Sequence, residues 1–201
     1  MTLRLTKKHS FDMVFDSQKM FRLILEAMSN PARIVNTVDY SNKLFGDNPV
    51  FLAVAMTLLD NEVSFYTCGN HLLSDEIASL THAGKENIEI ADFIFITGIG
   101  GRRVKYDQME YAIRNAKSGT PADPHKSAAI IIRNDDENTG LLLLSGPGID
   151  GHASVSVSQT VRDAINIRDA QNYEYPQGID FIFISDSGEL SAVPRLVKAV
   201  R

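Results

Sequence analysis

Residues 176–195 read Pro-Gln-Gly-Ile-Asp-Phe-Ile-Phe-Ile-Ser-Asp-Ser-Gly-Glu-Leu-Ser-Ala-Val-Pro-Arg, and their pattern decides the fold class. Phe181, Ile182, Phe183 and Ile184 are apolar at every position, as in a strand covered on both faces. Asp186-Ser187-Gly188 carries turn chemistry, and Leu190, Ala192 and Val193 suit a less buried return strand. Pro194 has no N–H to give a ladder, so it ends that strand or lies on a sheet edge. With the turn at 186–188, Ser185 pairs with Glu189 and Asp180 lies opposite Pro194. Arg195 then falls one residue further, on the other face of a regular ladder. An ion pair with Asp180 therefore needs a twisted strand end. Arg195 has two readings: that ion pair, within the chain or between subunits, and an anion-binding group.

Working outward, helix and strand patterns alternate. Phe21, Ile24, Leu25 and Met28 recur at helical spacing, with Asp16 or Ser17 as the expected N-cap, and Pro31 ends that helix. Asn48-Pro49 opens a second helix, apolar nearly all round over 50–59 and so buried. Residues 63–67 read as a short strand. Ser74 is the expected cap of a third helix with Asp75 and Glu76 in its first turn. Residues 93–96 form a buried strand, and Asp107 with Glu110 suggests a capping box opening a helix to about 116. Residues 128–132 and 141–144 are two apolar strands, read as a hairpin around the polar 134–138 tip. Val157, Val161, Ala164 and Ile165 mark a last helix. The expectation is one domain, 1–201, of the α/β class: a mixed sheet layered by helices, with an antiparallel C-terminal hairpin.

Composition narrows function. The chain has 201 residues, 44% apolar and 22% charged, with a net charge of −5. That describes a soluble globular protein large enough for a core without metal or disulfide staples. The acidic balance argues against a general nucleic-acid binder. Cys68 is the sole cysteine, which suits a reducing cytoplasm. No run approaches the roughly 18 apolar residues of a membrane span, nor has the N-terminus the apolar core of a secretory signal.

The motifs are less decisive. Gly98-Ile99-Gly100-Gly101 follows a strand and precedes a helix, but Arg103 occupies the third small position of a dinucleotide fingerprint. The readings left are a surface loop or a glycine turn whose Arg102, Arg103 and Lys105 meet phosphate or an acidic partner. Ser145-Gly146-Pro147-Gly148-Ile149-Asp150-Gly151 reads as a strand-to-helix turn, and Gly146 and Gly148 would let backbone N–H groups converge on an anion. It lacks the lysine of a P-loop. Lys117 and Lys126 flank a turn-rich loop and are further candidates to neutralise a phosphorylated ligand. Cys68 and His71, with His82 beyond, are too few for a structural zinc site. Nothing marks a base that would activate Cys68, and no Gly-x-Ser-x-Gly elbow occurs.

Four segments, in order, carry a resemblance: Phe21-Arg22-Leu23-Ile24-Leu25-Glu26-Ala27-Met28-Ser29-Asn30-Pro31; Leu58-Leu59-Asp60-Asn61-Glu62; Leu144-Ser145-Gly146-Pro147-Gly148-Ile149; and Gly178-Ile179-Asp180 through Val193-Pro194-Arg195. Together they resemble the PhnH family, the H subunit of bacterial carbon–phosphorus lyase. One departure is Pro31-Ala32 where the family has Pro-Gly, at a turn suited to positive φ. The resemblance implies a fold like the large domain of pyridoxal-phosphate-dependent transferases without that cofactor, and no other cofactor. It implies a complex with the G, I and J subunits in two copies each, and a homodimer. With the G, I and L proteins the family supports displacement of adenine from ATP by a phosphonate. The catalytic residues are not implied to lie in this subunit. Its alternative is a stand-alone nucleotide- or phosphate-binding protein using Arg102, Arg103, the glycine loops and Arg195, with ATP or a phosphonate as ligand.

Overall fold

The structure is a computed structural model that describes residues 9–98, 103–134 and 137–200. In chain order its elements are α1 (Phe15–Ser29), β1 (Val35–Asn36), α2 (Val38–Ser41), α3 (Pro49–Leu58), β2 (Ser64–Thr67), α4 (His71–Thr81), β3 (Gly84–Lys85), β4 (Phe93–Ile96) and α5 (Tyr106–Asn115). A 3-10 turn (Pro124–Lys126) leads to β5 (Ala129–Arg133), β6 (Asn138–Ser145), β7 (Ala153–Ser158), α6 (Gln159–Asp169), β8 (Asp180–Ile184), β9 (Glu189–Val193) and β10 (Lys198–Ala199).

A seven-stranded sheet has the order β1-β9-β8-β5-β4-β2-β3. β3, β2, β4, β5 and β8 run parallel; at one edge β9 adds antiparallel to β8, and β1 adds antiparallel to β9, which returns it to the direction of the parallel set. The mixed α/β sheet layered by helices is thus present. The apolar runs exist because both faces are covered. Phe95, Ile131, Ile182 and Ile184 face the layer of α1, α3 and α4, where Phe51, Leu52 and Ile77 are buried. Ile94, Ile130, Phe181 and Phe183 face α5 and α6. Each such large side chain, fully buried, stabilises the fold by about 1.5–3 kcal/mol.

The C-terminal hairpin has the expected register, with Phe181 opposite Val193 and the Ser185 N–H donating to the Glu189 carbonyl at 2.9 Å. Other expectations need correction. β5 and β6 do not form a hairpin. β5 already has neighbours on both edges, β4 and β8, so β6 joins a separate three-stranded sheet, β10-β6-β7. Val157, expected in the last helix, instead lies in strand β7, and the Ser/Val alternation of 153–158 is the period-2 signal that was there to read.

Helix starts also differ. Asp12, not Asp16 or Ser17, accepts from the N–H groups of Val14 and Phe15 at the head of α1. α4 begins at His71, capped by Asn70 through the Leu73 N–H, which leaves Ser74 inside the helix. α5 begins at Tyr106 with no side-chain cap, so Asp107 and Glu110 form no capping box. α6 is capped by Ser158.

Arg168, at the end of α6, joins the two sheets. It is fully buried, pairs with Asp169 at 3.1 Å, and donates to the carbonyls of Ile179, Val193, Pro194 and Val197. These acceptors surround the strand ends that hand the chain from β9 to β10. Among the described residues no helix is long and apolar enough to cross a membrane.

Candidate functional site

β2 is followed by α4 and then β3 on one side, whereas β4 lies on the other side of β2 and sends its helix, α5, to the opposite face of the sheet. Where successive connections part in this way, a crevice opens at the carboxyl ends of the parallel strands. A cavity of about 890 Å³ lies there, within the size range of small-molecule sites.

Gly69 and Gly98 follow β2 and β4, and both take positive φ, +73° and +70°, so the chain turns sharply at the two strand ends. Asn70 ties these turns together. Its amide donates to the Thr97 hydroxyl at 3.0 Å while its oxygen caps α4. The first residues of α4, His71 and Leu72, line the cavity, and backbone N–H groups at a helix start have no intrahelical acceptor.

Arg133 ends β5 and forms the opposite wall. Its side chain is only 5% exposed, with Nη1 3.2 Å from Asp186 of the β8–β9 turn and Nη2 donating to Asn48 at 2.6 Å. The guanidinium also lies over the Phe51 ring at 5.4 Å. Asn48 begins α3, as its Asn-Pro pair indicated, but spends its side chain on Arg133 rather than on a cap.

Carboxylates dominate the remaining wall. Lys85 holds the Asp75 carboxyl below its ordinary value. Burial raises the Glu76 carboxyl, Asp47 adds to the rise and His9 opposes it. The crevice therefore offers donors at α4 and Arg133 and acceptors at Asp47 and Glu76. Cys68 sits beneath it, buried, its thiol pushed up to about 12 by desolvation. His71 and His82 stand at opposite ends of α4. Among the described residues no group of three or more His, Cys, Asp or Glu side chains is placed to hold a metal ion. No lysine lines the crevice among the described residues, so none stands ready there for a Schiff base.

The residues singled out from the sequence do not converge. Gly98 opens on the crevice and Arg103 is exposed seven residues beyond β4, while Arg102 lies outside the described residues. Gly146 and Gly148 belong to the β6–β7 connection, between two strands rather than before a helix. A Cβ on Gly148 would meet the Ser29 carbonyl at 2.6 Å, and one on Gly146 the Leu196 carbonyl at 2.7 Å. Both glycines are needed where backbones pack closely, at φ of +82° and +137°. That turn is therefore not the helix-opening loop expected.

Arg195 lies at the amino end of β8, across the sheet from the crevice. Its backbone N–H and Nη2 reach Asp180 at 2.7 and 2.6 Å, and it also donates to the Pro124 carbonyl. β9 ends at Val193 and Arg195 lies in the turn beyond it, so the ion pair forms outside the regular ladder rather than through a twisted strand end. Lys117 pairs with Asp92 and Lys126 with Asp123, also at that end. Arg133 was passed over, although a cation closing an apolar run is a legible signal for the carboxyl end of a buried strand.

The family model for the bacterial phosphonate metabolism protein (PhnH) matches residues 9–199. The chain belongs to the PhnH family. The match takes in both sheets, the crevice and the Asp180–Arg195 pair, and it places this PhnH-family chain in phosphonate metabolism. A protein of Stutzerimonas stutzeri, provisionally named as the C–P lyase subunit protein HtxG, is 26% identical over 179 residues, covering 89% of this chain and 83% of the relative.

Proposed function

We propose that the chain is the H subunit of a carbon–phosphorus lyase assembly, a single-domain cytoplasmic protein that is not catalytic by itself. The observation that carries this reading is the family match over nearly the whole chain, supported by the C–P lyase subunit name of its relative. In this role it supports attack of a phosphonate oxygen on C1′ of the ATP ribose. The C1′–N9 bond breaks, adenine leaves, and a ribose 1-phosphonate 5-triphosphate results. Its partners are the G, I and J subunits and a second copy of itself, with the L protein acting in the same step. Exposed apolar side chains on α1, Phe15, Phe21 and Leu25 among them, agree with a docking role. A mainly parallel sheet between two helical layers agrees with the large-domain fold of pyridoxal-phosphate-dependent transferases.

Light scattering tests the assembly. Co-expressed with the G, I and J proteins of the same host, the chain is expected to elute with them as one large species. A chain that stays separate beside an assembled complex refutes the subunit role.

One observation favours a second role, contact with nucleotide: Gly98, just after β4 and a few positions before Arg102 and Arg103 in sequence, lines the crevice. Saturable ATP binding by the isolated chain, lost in Arg102→Ala/Arg103→Ala, is the expected result. Binding that is absent, or unchanged in that variant, removes the role.

A further inference from the structure

β7 is an outer strand. In the sheet order β10-β6-β7 one of its edges is paired with β6, from Leu144 opposite Ala153 to Leu141 opposite Ser156, and among the described residues the sheet has no strand on its other side. The other strands that end a sheet, β1, β3 and β10, span two residues each, whereas β7 spans six. Edge strands in stable proteins are normally kept short, charged or interrupted by proline. The β7 sequence, Ala-Ser-Val-Ser-Val-Ser, has none of these defences.

A groove of about 250 Å³ adjoins β7, and Val155, Ser156 and Val157 all line it. Side chains alternate across a strand, so three consecutive residues border a groove only where the backbone edge faces it. Across the groove stand the exposed side chain of Ile34 and residues 189–191 of β9. Its charged lining consists of Glu137 and Glu189, with no cationic side chain among the described residues.

We infer that the free edge of β7 is the docking site for an extended, cationic segment of another subunit of the lyase assembly, which adds as a fourth strand to β10-β6-β7. Only an extended backbone supplies the alternating donors and acceptors that a strand edge lacks. The groove gives room for side chains from one face of that segment, against Ile34. Glu137 and Glu189 select Lys or Arg on it and oppose an acidic partner. The inference rests on the assembly role proposed above and names the surface that performs it.

The test uses the full chain, alone and co-purified with the G, I and J proteins, with hydrogen–deuterium exchange followed at residues 153–158. Protection of these amides by about ten-fold or more in the complex is expected. Glu137→Lys/Glu189→Lys, at two exposed sites, is expected to weaken incorporation by about ten-fold, while the variant alone keeps its spectrum and thermal midpoint. A complex that contains the chain with β7 amides exchanging as fast as in isolation overturns the edge inference and leaves the subunit role standing. So does a complex that tolerates the charge reversal but is lost on Phe21→Lys/Leu25→Lys, which would put the interface on α1. A wild-type chain that never joins the complex overturns both.

Discussion

Ala32 holds φ of +81° immediately after Pro31, the geometry anticipated for a family position that ordinarily carries glycine. The L-residue at this turn bears the strain of a left-handed backbone. Ala32→Gly is therefore expected to stabilise the fold by about 1 kcal/mol, read from urea unfolding. A neutral or destabilising result would show that the backbone relaxes around alanine. Cys68 makes a second residue-scale case. Burial pushes its thiol up to about 12, so a disulfide reagent at pH 8 is expected to leave it untouched until guanidinium unfolds the chain. Rapid labelling of the native protein would mean that the carboxyl end of β2 opens in solution.

At the scale of elements, long apolar runs were the legible feature. β4, β5 and β8 followed from their composition, as did α3, whose all-round apolar surface matches its burial between α1 and α4. Phe181, fully buried in β8 beside Phe183 and beneath Arg168, is expected to cost about 3–5 kcal/mol when changed to Ala. A loss below about 1 kcal/mol in chemical denaturation would contradict that burial. Pairing partners were not legible in the same way. β5 and β6 are close in sequence and both apolar, yet they belong to different sheets, because parallel neighbours from distant segments occupy both edges of β5. Helix starts were misplaced by up to four residues because nearby Asp, Ser and Asn side chains offered alternative caps, Asn70 rather than Ser74 taking α4. At the head of α1, the acceptor that reaches the free N–H groups is Asp12, and Asp16 turns instead to Lys43.

For the molecule as a whole, carboxylates held by hydrogen bonds and lysines link stability to pH. Burial alone raises Asp16 and Asp92. Bonds from the Asp12 N–H and Lys43 to the first, and from Lys117 and Ser64 to the second, overcome it, and both end below the ordinary value of 3.8. A depressed carboxylate contributes stability that is complete above its unfolded value and lost as pH falls through its folded one. Unfolding free energy is therefore expected to drop below about pH 4, and Asp92→Asn to flatten that slope. A pH-independent stability down to about pH 2 would mean these pairs are equally formed in the unfolded chain.

By itself the sequence determined the α/β class, the buried strands, the C-terminal hairpin with its register, the strain-prone turn at Ala32 and the family. All of these depend on local pattern, turn chemistry or ordered motifs. Only the tertiary structure decided that the chain makes two sheets, that Gly146 and Gly148 serve backbone packing, and that Arg195 closes a strand end with Asp180. Only it placed Arg133 on a crevice with the start of α4. Those outcomes depend on which distant strands take each sheet edge, and residues 48, 70, 97, 133 and 186 become neighbours only once the parallel strands have aligned their carboxyl ends.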